Sequence, residues 1–245
     1  MAITLIGIDC ATQAKNVGLA CGRFDDGIAD IDDVILGGSD ISIADTVAGW
    51  ISSTPNALIA MDAPLGWPKA LGTALHTHAA GEPIQVEPNQ LFRRETDHFI
   101  KREIRKQPLD VGADRIARTA QAALILLDEI REVVGQSIPL AWEPGYASGL
   151  FAIEVYPAAT LIAHDMHVPG YKRKDGQEVR RKLLIKLRQC IGLPADLSHM
   201  ENSDDALDAA VCVLAGVDFL RGEVYEPRDF LLAKKEGWIW VKKPV

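Results

Sequence analysis

The sequence predicts an α/β fold, a mixed five-stranded sheet flanked by helices, with a helical insertion after the fourth strand. Three observations carry this expectation. Short apolar runs bounded by turn residues are interleaved with segments of helical periodicity. The first three runs follow one another with only short links, so they can pair antiparallel. The fourth and fifth are reached through longer helical segments, which suits parallel neighbours and helices on both faces of the sheet.

The elements follow in order. "ITLIGID" (Ile3 to Asp9) reads as a buried strand ending in a carboxylate. "NVGLACGRF" (Asn16 to Phe24) and "IADIDDVIL" (Ile28 to Leu36) read as the next two, and Asp26-Gly27 between them suits a tight hairpin turn. In "ISIADTVAGWIS", Ile41, Ala44, Ala48 and Ile51 recur at helical spacing. "NALIAMDAPLG" is a short apolar strand ending at Asp62 and turning at Pro64 and Gly66. From about 67 to 110 the pattern weakens, and an insertion with one or two helices is expected. "ADRIARTAQAALILLDEIREVVG" places Ile116, Ala120, Ala123, Leu127 and Ile130 on one helical face, with Gly135 as the stop. "GLFAIEVYP" is a strand carrying Glu154, and a helix follows Pro157. The loop "PGYKRKDG", the basic helix "EVRRKLLIKLRQCIG" and the helix of "NSDDALDAAVC" come next. "RDFLLAKKEGWIWVKK" closes the chain as an expected hairpin over about 228–243, around Glu236-Gly237.

Composition sets the outer limits. The chain has 245 residues, 48% of them hydrophobic, and a mean hydropathy of +0.04. This suits one globular domain over 1–245. A net charge of -8 argues against a general nucleic-acid coat, although local basic segments remain able to meet phosphate. Cys10, Cys21, Cys190 and Cys212 form no C-x-x-C pair, so reduced thiols in a cytoplasmic protein are expected. The start "MAITLIGIDC" lacks the basic region of a signal peptide, and no apolar run approaches a membrane span.

The acidic residues raise the functional question. Asp204 and Asp205 are explained by the helix N-terminus, where the macrodipole favours carboxylates and Asn202 or Ser203 serves as the cap. Asp208 lies a turn further in, beside an apolar run, and shares a face with Asp205 or Asp204. Asp9, Asp62 and Glu154 each sit on or at the end of an apolar strand, where unpaired carboxylates are rare. Strand ends and one helix entry then converge on a self-repelling cluster. A hard divalent cation, Mg²⁺ or Mn²⁺, resolves that repulsion with oxygen ligands. The histidine pairs His76/His78 and His164/His167 lack a thiolate partner motif and read as ordinary side chains rather than a zinc site.

In this order, "GIDCATQAKNVGLACG", "MDAPLG", "FRRETD", "EVYPA" and "DDALDA" resemble the RNase H-like superfamily. More closely they resemble a family of predicted RNase H-like nucleases of unknown biological role. The resemblance implies an RNase H-like fold and hydrolysis of phosphodiester bonds at a metal site. It implies Asp9 as the central metal ligand, Asp62 as the second carboxylate, Asp205 and Asp208 as the last ligands, and Glu154 as a further member of the catalytic set. Nucleic acid is the implied partner. Arg93, Arg94 or Lys182 is then expected to hold the scissile phosphate. Between Lys172 and Arg188, eight basic residues face two acidic ones, and Arg180, Arg181 and Lys182 of that stretch can track a phosphate backbone. The alternatives are an actin-like or sugar-kinase-like phosphotransferase, whose phosphate-binding hairpin "GIDCATQAKNVGLA" also resembles, and a non-catalytic binding protein on the same fold.

Overall fold

A computed structural model describes residues 2–38, 42–52, 54–112, 115–145 and 148–244. The start of the long helix expected from Ala113 lies outside them at its first two residues. Five strands form one sheet: β1 (Ile3–Asp9), β2 (Gly18–Asp25), β3 (Ile28–Leu36), β4 (Ala57–Asp62) and β5 (Leu150–Glu154). Their spatial order is β3-β2-β1-β4-β5. β1, β2 and β3 pair antiparallel, while β1–β4 and β4–β5 are parallel, as the expected mixed sheet requires. At the β2–β3 turn Asp26 and Gly27 both take positive φ, 48° and 80°, which matches the right-handed twist of the flanking strands.

Side-chain alternation divides the core. Ile6 and Ile8 of β1, Ile59 and Met61 of β4 and Ala152 of β5 pack against α1 (Ile43–Ile51) and α5 (Arg115–Val134). Leu5, Leu58, Ala60 and Ile153 face the opposite way, toward α6 (Pro157–Ala163), α7 (Gln177–Leu187) and α9 (Asp204–Leu220). Short α8 (Ser198–Asn202) leads into α9. The insertion holds α2 (Lys69–Leu75), α3 (Pro88–Phe92) and α4 (Glu95–Glu103), three short helices in place of the one or two expected. Among the described residues no helix is long and apolar enough to cross a membrane.

α9 is the central element. Ala206 through Leu220 is buried without interruption, so this helix is apolar all round apart from its start, Asp208 and Asp218. It lies unusually close to the sheet. A Cβ on Gly7 would sit 2.0 Å from the Ala209 carbonyl oxygen, and one on Gly18 2.0 Å from that of Asp205. Two glycines on neighbouring strands therefore set the depth of the N-terminal half of α9.

The expected C-terminal hairpin is not formed. Its first half is a helix, α10 (Phe230–Glu236), whose cap Asp229 accepts from the Leu232 N–H at 3.0 Å. The chain leaves at Gly237 (φ 88°) and pairs on one side with the end of β5, the Trp240 N–H donating to the Glu154 carbonyl at 3.0 Å, and on the other with the stretch before α10, the Tyr225 N–H donating to the Val241 carbonyl at 3.0 Å. The reason is local. Asp229 stabilises a first helical turn, and Glu236 has more useful partners than a hairpin offers. Its carboxylate accepts from the Lys69 N–H at 2.7 Å and the Glu95 N–H at 2.9 Å, satisfying orphan donors at the starts of α2 and α4.

Replacing Gly7 with Ala forces α9 outward. Overpacking of this kind costs about 1–3 kcal/mol, a drop of roughly 3–10 °C in Tm for a chain of this size. An unchanged Tm in thermal denaturation would contradict the close approach of α9.

Candidate metal centre

Asp9 and Asp62 are direct neighbours, because β1 and β4 run parallel with these two residues paired in register. By alternation both share the face of Gly7 and Ala60, toward α9. α9 delivers Asp208 to the same place. Ser203 caps the helix, its hydroxyl accepting from the Asp205 N–H at 3.1 Å and the Ala206 N–H at 3.4 Å, and Asp208 follows one turn later. One carboxylate oxygen from each of Asp9, Asp62 and Asp208 lies within 4.8 Å of the other two.

The electrostatics of this triad are strained. Burial drives the Asp9 carboxyl well above the usual carboxylate range, and the charges of Asp62 and Asp208 add to it. Burial lifts Asp62 to about 7, with repulsion from Asp208 and Glu154 opposed by the Lys172 ammonium. Asp208, fully buried, is also raised by burial. It is the best compensated of the three. The Tyr171 hydroxyl donates to its Oδ1 at 3.0 Å, and Lys172 Nζ lies 2.5 Å from its Oδ2. Among the described residues Asp9 and Asp62 receive no such hydrogen bonds. At an effective dielectric between 20 and 80, two unit charges about 4–5 Å apart repel by roughly 1–4 kcal/mol.

The donor set fits a hard divalent cation. Metal–oxygen distances of about 2.0–2.6 Å let one ion span oxygens up to roughly 4–5 Å apart. The three residues are all-oxygen and convergent, and two of them lack competing donors. Lys172 supplies the counter-charge from a loop, with a half-exposed side chain able to move away.

The other expected site residues fall outside the triad. Asp205 is half-buried and falls outside the converging triad, about one turn nearer the start of α9 than Asp208. Glu154 pairs in register with Met61, not Asp62, so it does not join the triad, although it lines the same cavity as Asp9 and Asp62. It accepts the Leu65 N–H at 2.9 Å and is held by Arg94 at 2.7 and 2.8 Å. Arg94 was expected on phosphate, but it is buried. Its remaining N–H groups go to Asp97, at 2.9 and 3.2 Å, and to the Glu236 carbonyl at 3.2 Å, so all five donors are spent. Arg93 pairs with Asp110 at 2.6 Å and donates to Asn89 at 2.8 Å.

The basic helix likewise does not present one cationic face. Arg180 is buried and donates to the carbonyls of Tyr171 (2.6 Å), Glu201 (2.8 Å), Arg173 (3.1 Å) and Asn202 (3.4 Å). It staples the loop bearing Tyr171 and Lys172 to α8. Arg181 is exposed and pairs with Glu201 at 2.9 Å, and Lys182 is exposed 4.0 Å from Glu178. His164 pairs with Asp218 at 2.8 Å. Sequence reasoning missed Tyr171 and Lys172 as neighbours of the triad. Their only signal was a Tyr-Lys step in a loop bounded by Gly170 and Gly176, which counted merely as part of a basic stretch.

This geometry generates three predictions. Asp62→Asn removes a repelling charge and sacrifices no hydrogen bond. At pH 8 the metal-free variant should melt about 2–8 °C above wild type, and the Mn²⁺-induced rise in Tm should vanish. The pH dependence has a defined sign. Between about pH 4 and 7 native Asp62 keeps a proton that the unfolded chain releases. Its contribution to metal-free stability therefore falls as pH rises through that window and levels off above it. Since metal must displace that proton, the Mn²⁺ shift should grow from pH 5.5 to 8. A pH-independent shift would contradict this picture. Separately, Arg180→Ala leaves four carbonyls, the buried one of Tyr171 among them, without their donor and should cost about 2–4 kcal/mol, whereas Arg181→Ala and Lys182→Ala should stay within about 0.5 kcal/mol in urea denaturation. Equal effects at the three positions would contradict the assigned role of Arg180.

Comparison with known proteins adds the following. No curated protein matches the chain. Among solved structures the chain is similar to T. thermophilus RuvC in complex with a Holliday junction substrate, with 12% identity, a TM-score of 0.36, and coverage of 90% of this chain and 96% of that one. A family model described as "Protein of unknown function (DUF429)" matches residues 7–230, and the chain belongs to that family.

Proposed function

We propose that the chain is a divalent-metal-dependent phosphodiester hydrolase, as its resemblance to predicted RNase H-like nucleases implies. The observation that carries this reading is the convergence of Asp9, Asp62 and Asp208 within 4.8 Å, on three elements that two glycines allow to meet. These three residues would hold Mg²⁺ or Mn²⁺. When bound there, the ion supplies Lewis-acid activation of a water and neutralises charge on the phosphoryl group. The overall reaction adds water at phosphorus and breaks the P–O bond to the leaving alcohol, which takes up a proton. Asp205, half-buried and one turn before Asp208 on α9, would complete the ligand set or orient the water. Lys172 has an exposed stem and can exchange its contact with Asp208 for a phosphate oxygen. Tyr171 keeps Asp208 oriented through its hydrogen bond. No observation among the described residues favours the phosphotransferase alternative over this reading.

The test is hydrolysis of phosphodiesters by purified protein with Mn²⁺, with EDTA, and with Asp9→Asn. Wild type should turn over substrate only with metal, and Asp9→Asn should lose on the order of 10²-fold or more in rate. Turnover that persists in EDTA, or in Asp9→Asn, would remove the metal centre from the reaction.

A further inference from the structure

The cavity beside the triad has a shape that bears on its substrate. It holds about 300 Å³ and is lined on one side by Asp9 and Asp62, with Lys172 among its walls. The buried Arg94–Asp97–Glu154 network and Thr119 line another part, and the rest of the wall is apolar. Leu109 comes from the end of the insertion, Ile116 from the first turn of α5, and Tyr156 from the segment after β5. The insertion and α5 thus close over the strand ends that carry the carboxylates. A volume near 300 Å³ is at the lower end of the range for small-molecule sites. It suits one sugar–base unit on a phosphate and is much smaller than a stretch of duplex.

The cations support the same conclusion. Proteins that hold a duplex typically neutralise several phosphates with Lys and Arg. Here the five basic residues expected to do so are engaged within the protein or beside its own acids. Arg94 and Arg180 spend their donors internally, Arg93 and Arg181 pair with Asp110 and Glu201, and Lys182 lies by Glu178. Lys172 and Arg94 are the cations that line the cavity, and Arg94 has no donor left for a phosphate.

Building on the hydrolase reading, we infer that the substrate is a nucleotide-sized phosphate ester whose ring enters this cavity, either free or as the terminal unit of a strand. Asp9, Asp62 and Asp208 would hold the metal on the phosphate side, with the base against Leu109, Ile116 and Tyr156. Continuous duplex with no free end is excluded by the same walls.

The test compares three substrates with Mn²⁺: thymidine 5′-(p-nitrophenyl phosphate), a single-stranded 20-mer, and covalently closed plasmid. The inference expects turnover of the small diester and an intact plasmid. Trimming of the 20-mer from an end would identify a strand terminus as the source, and no trimming a free nucleotide; both agree with the inference. Leu109 is 60% exposed, so Leu109→Trp should fold and keep the Mn²⁺-induced rise in Tm. It should fill the cavity and lower kcat/KM on the small diester by about tenfold or more. Plasmid nicking at a comparable rate, or an unchanged kcat/KM in Leu109→Trp, would overturn the inference and leave the hydrolase reading standing. No turnover of any of the three by wild type would overturn both.

Discussion

Three carboxylates that repel one another are held together in a buried place, and much of the surrounding structure answers that repulsion. Asp208 is the extreme case, a fully buried acid in an otherwise apolar helix. Its position is steric in origin: Gly7 and Gly18 let α9 settle against β1 and β2, and the parallel pairing of Asp9 with Asp62 fixes what Asp208 meets there. The compensation is incomplete. Tyr171 and Lys172 satisfy Asp208, while Asp9 and Asp62 are left with raised proton affinity. A site of this kind stores unfavourable energy that a proton or a hard cation releases, which is how a binding site trades stability for affinity.

The neighbouring charges serve a different purpose. Arg94, Asp97 and Glu154 form a closed buried network with every guanidinium donor used. It ties the insertion to β5 and to the C-terminal segment. Such networks are weak net contributors to stability, yet breaking one partner away costs about 3–5 kcal/mol, so they fix geometry. Glu236 pins the starts of α2 and α4, and Arg180 pins the loop carrying Lys172. Together they hold the insertion and the Lys172 loop beside the strand ends, and this shapes the cavity over the triad.

The five strands, the long amphipathic α5 and the position of α9 were legible in sequence because each has a clear period or an unbroken apolar run. Asp9 and Asp62 were legible too, as acids closing apolar strands. That Glu154 lines the cavity without joining the triad was not, because it depends on the register of β5 against β4, which one strand's composition does not reveal. Asp205 and Asp208 share a helix face, yet a rise of about 4.5 Å between them decides which one reaches the buried cluster. Arg94 and Arg180 were read as surface cations because buried arginine is rare, and only long-range partners make it possible. The C-terminal helix α10, seven residues long, was too short for periodicity to outweigh the Glu-Gly turn signal.

The hydrolase reading depends on a divalent cation at Asp9, Asp62 and Asp208. A crystal of the protein soaked in Mn²⁺ and measured for anomalous scattering tests it most directly. The account predicts an anomalous peak within about 2.0–2.6 Å of an oxygen from each of the three, with Lys172 Nζ displaced from Asp208. A featureless site at saturating Mn²⁺, with Lys172 still paired to Asp208, would contradict it.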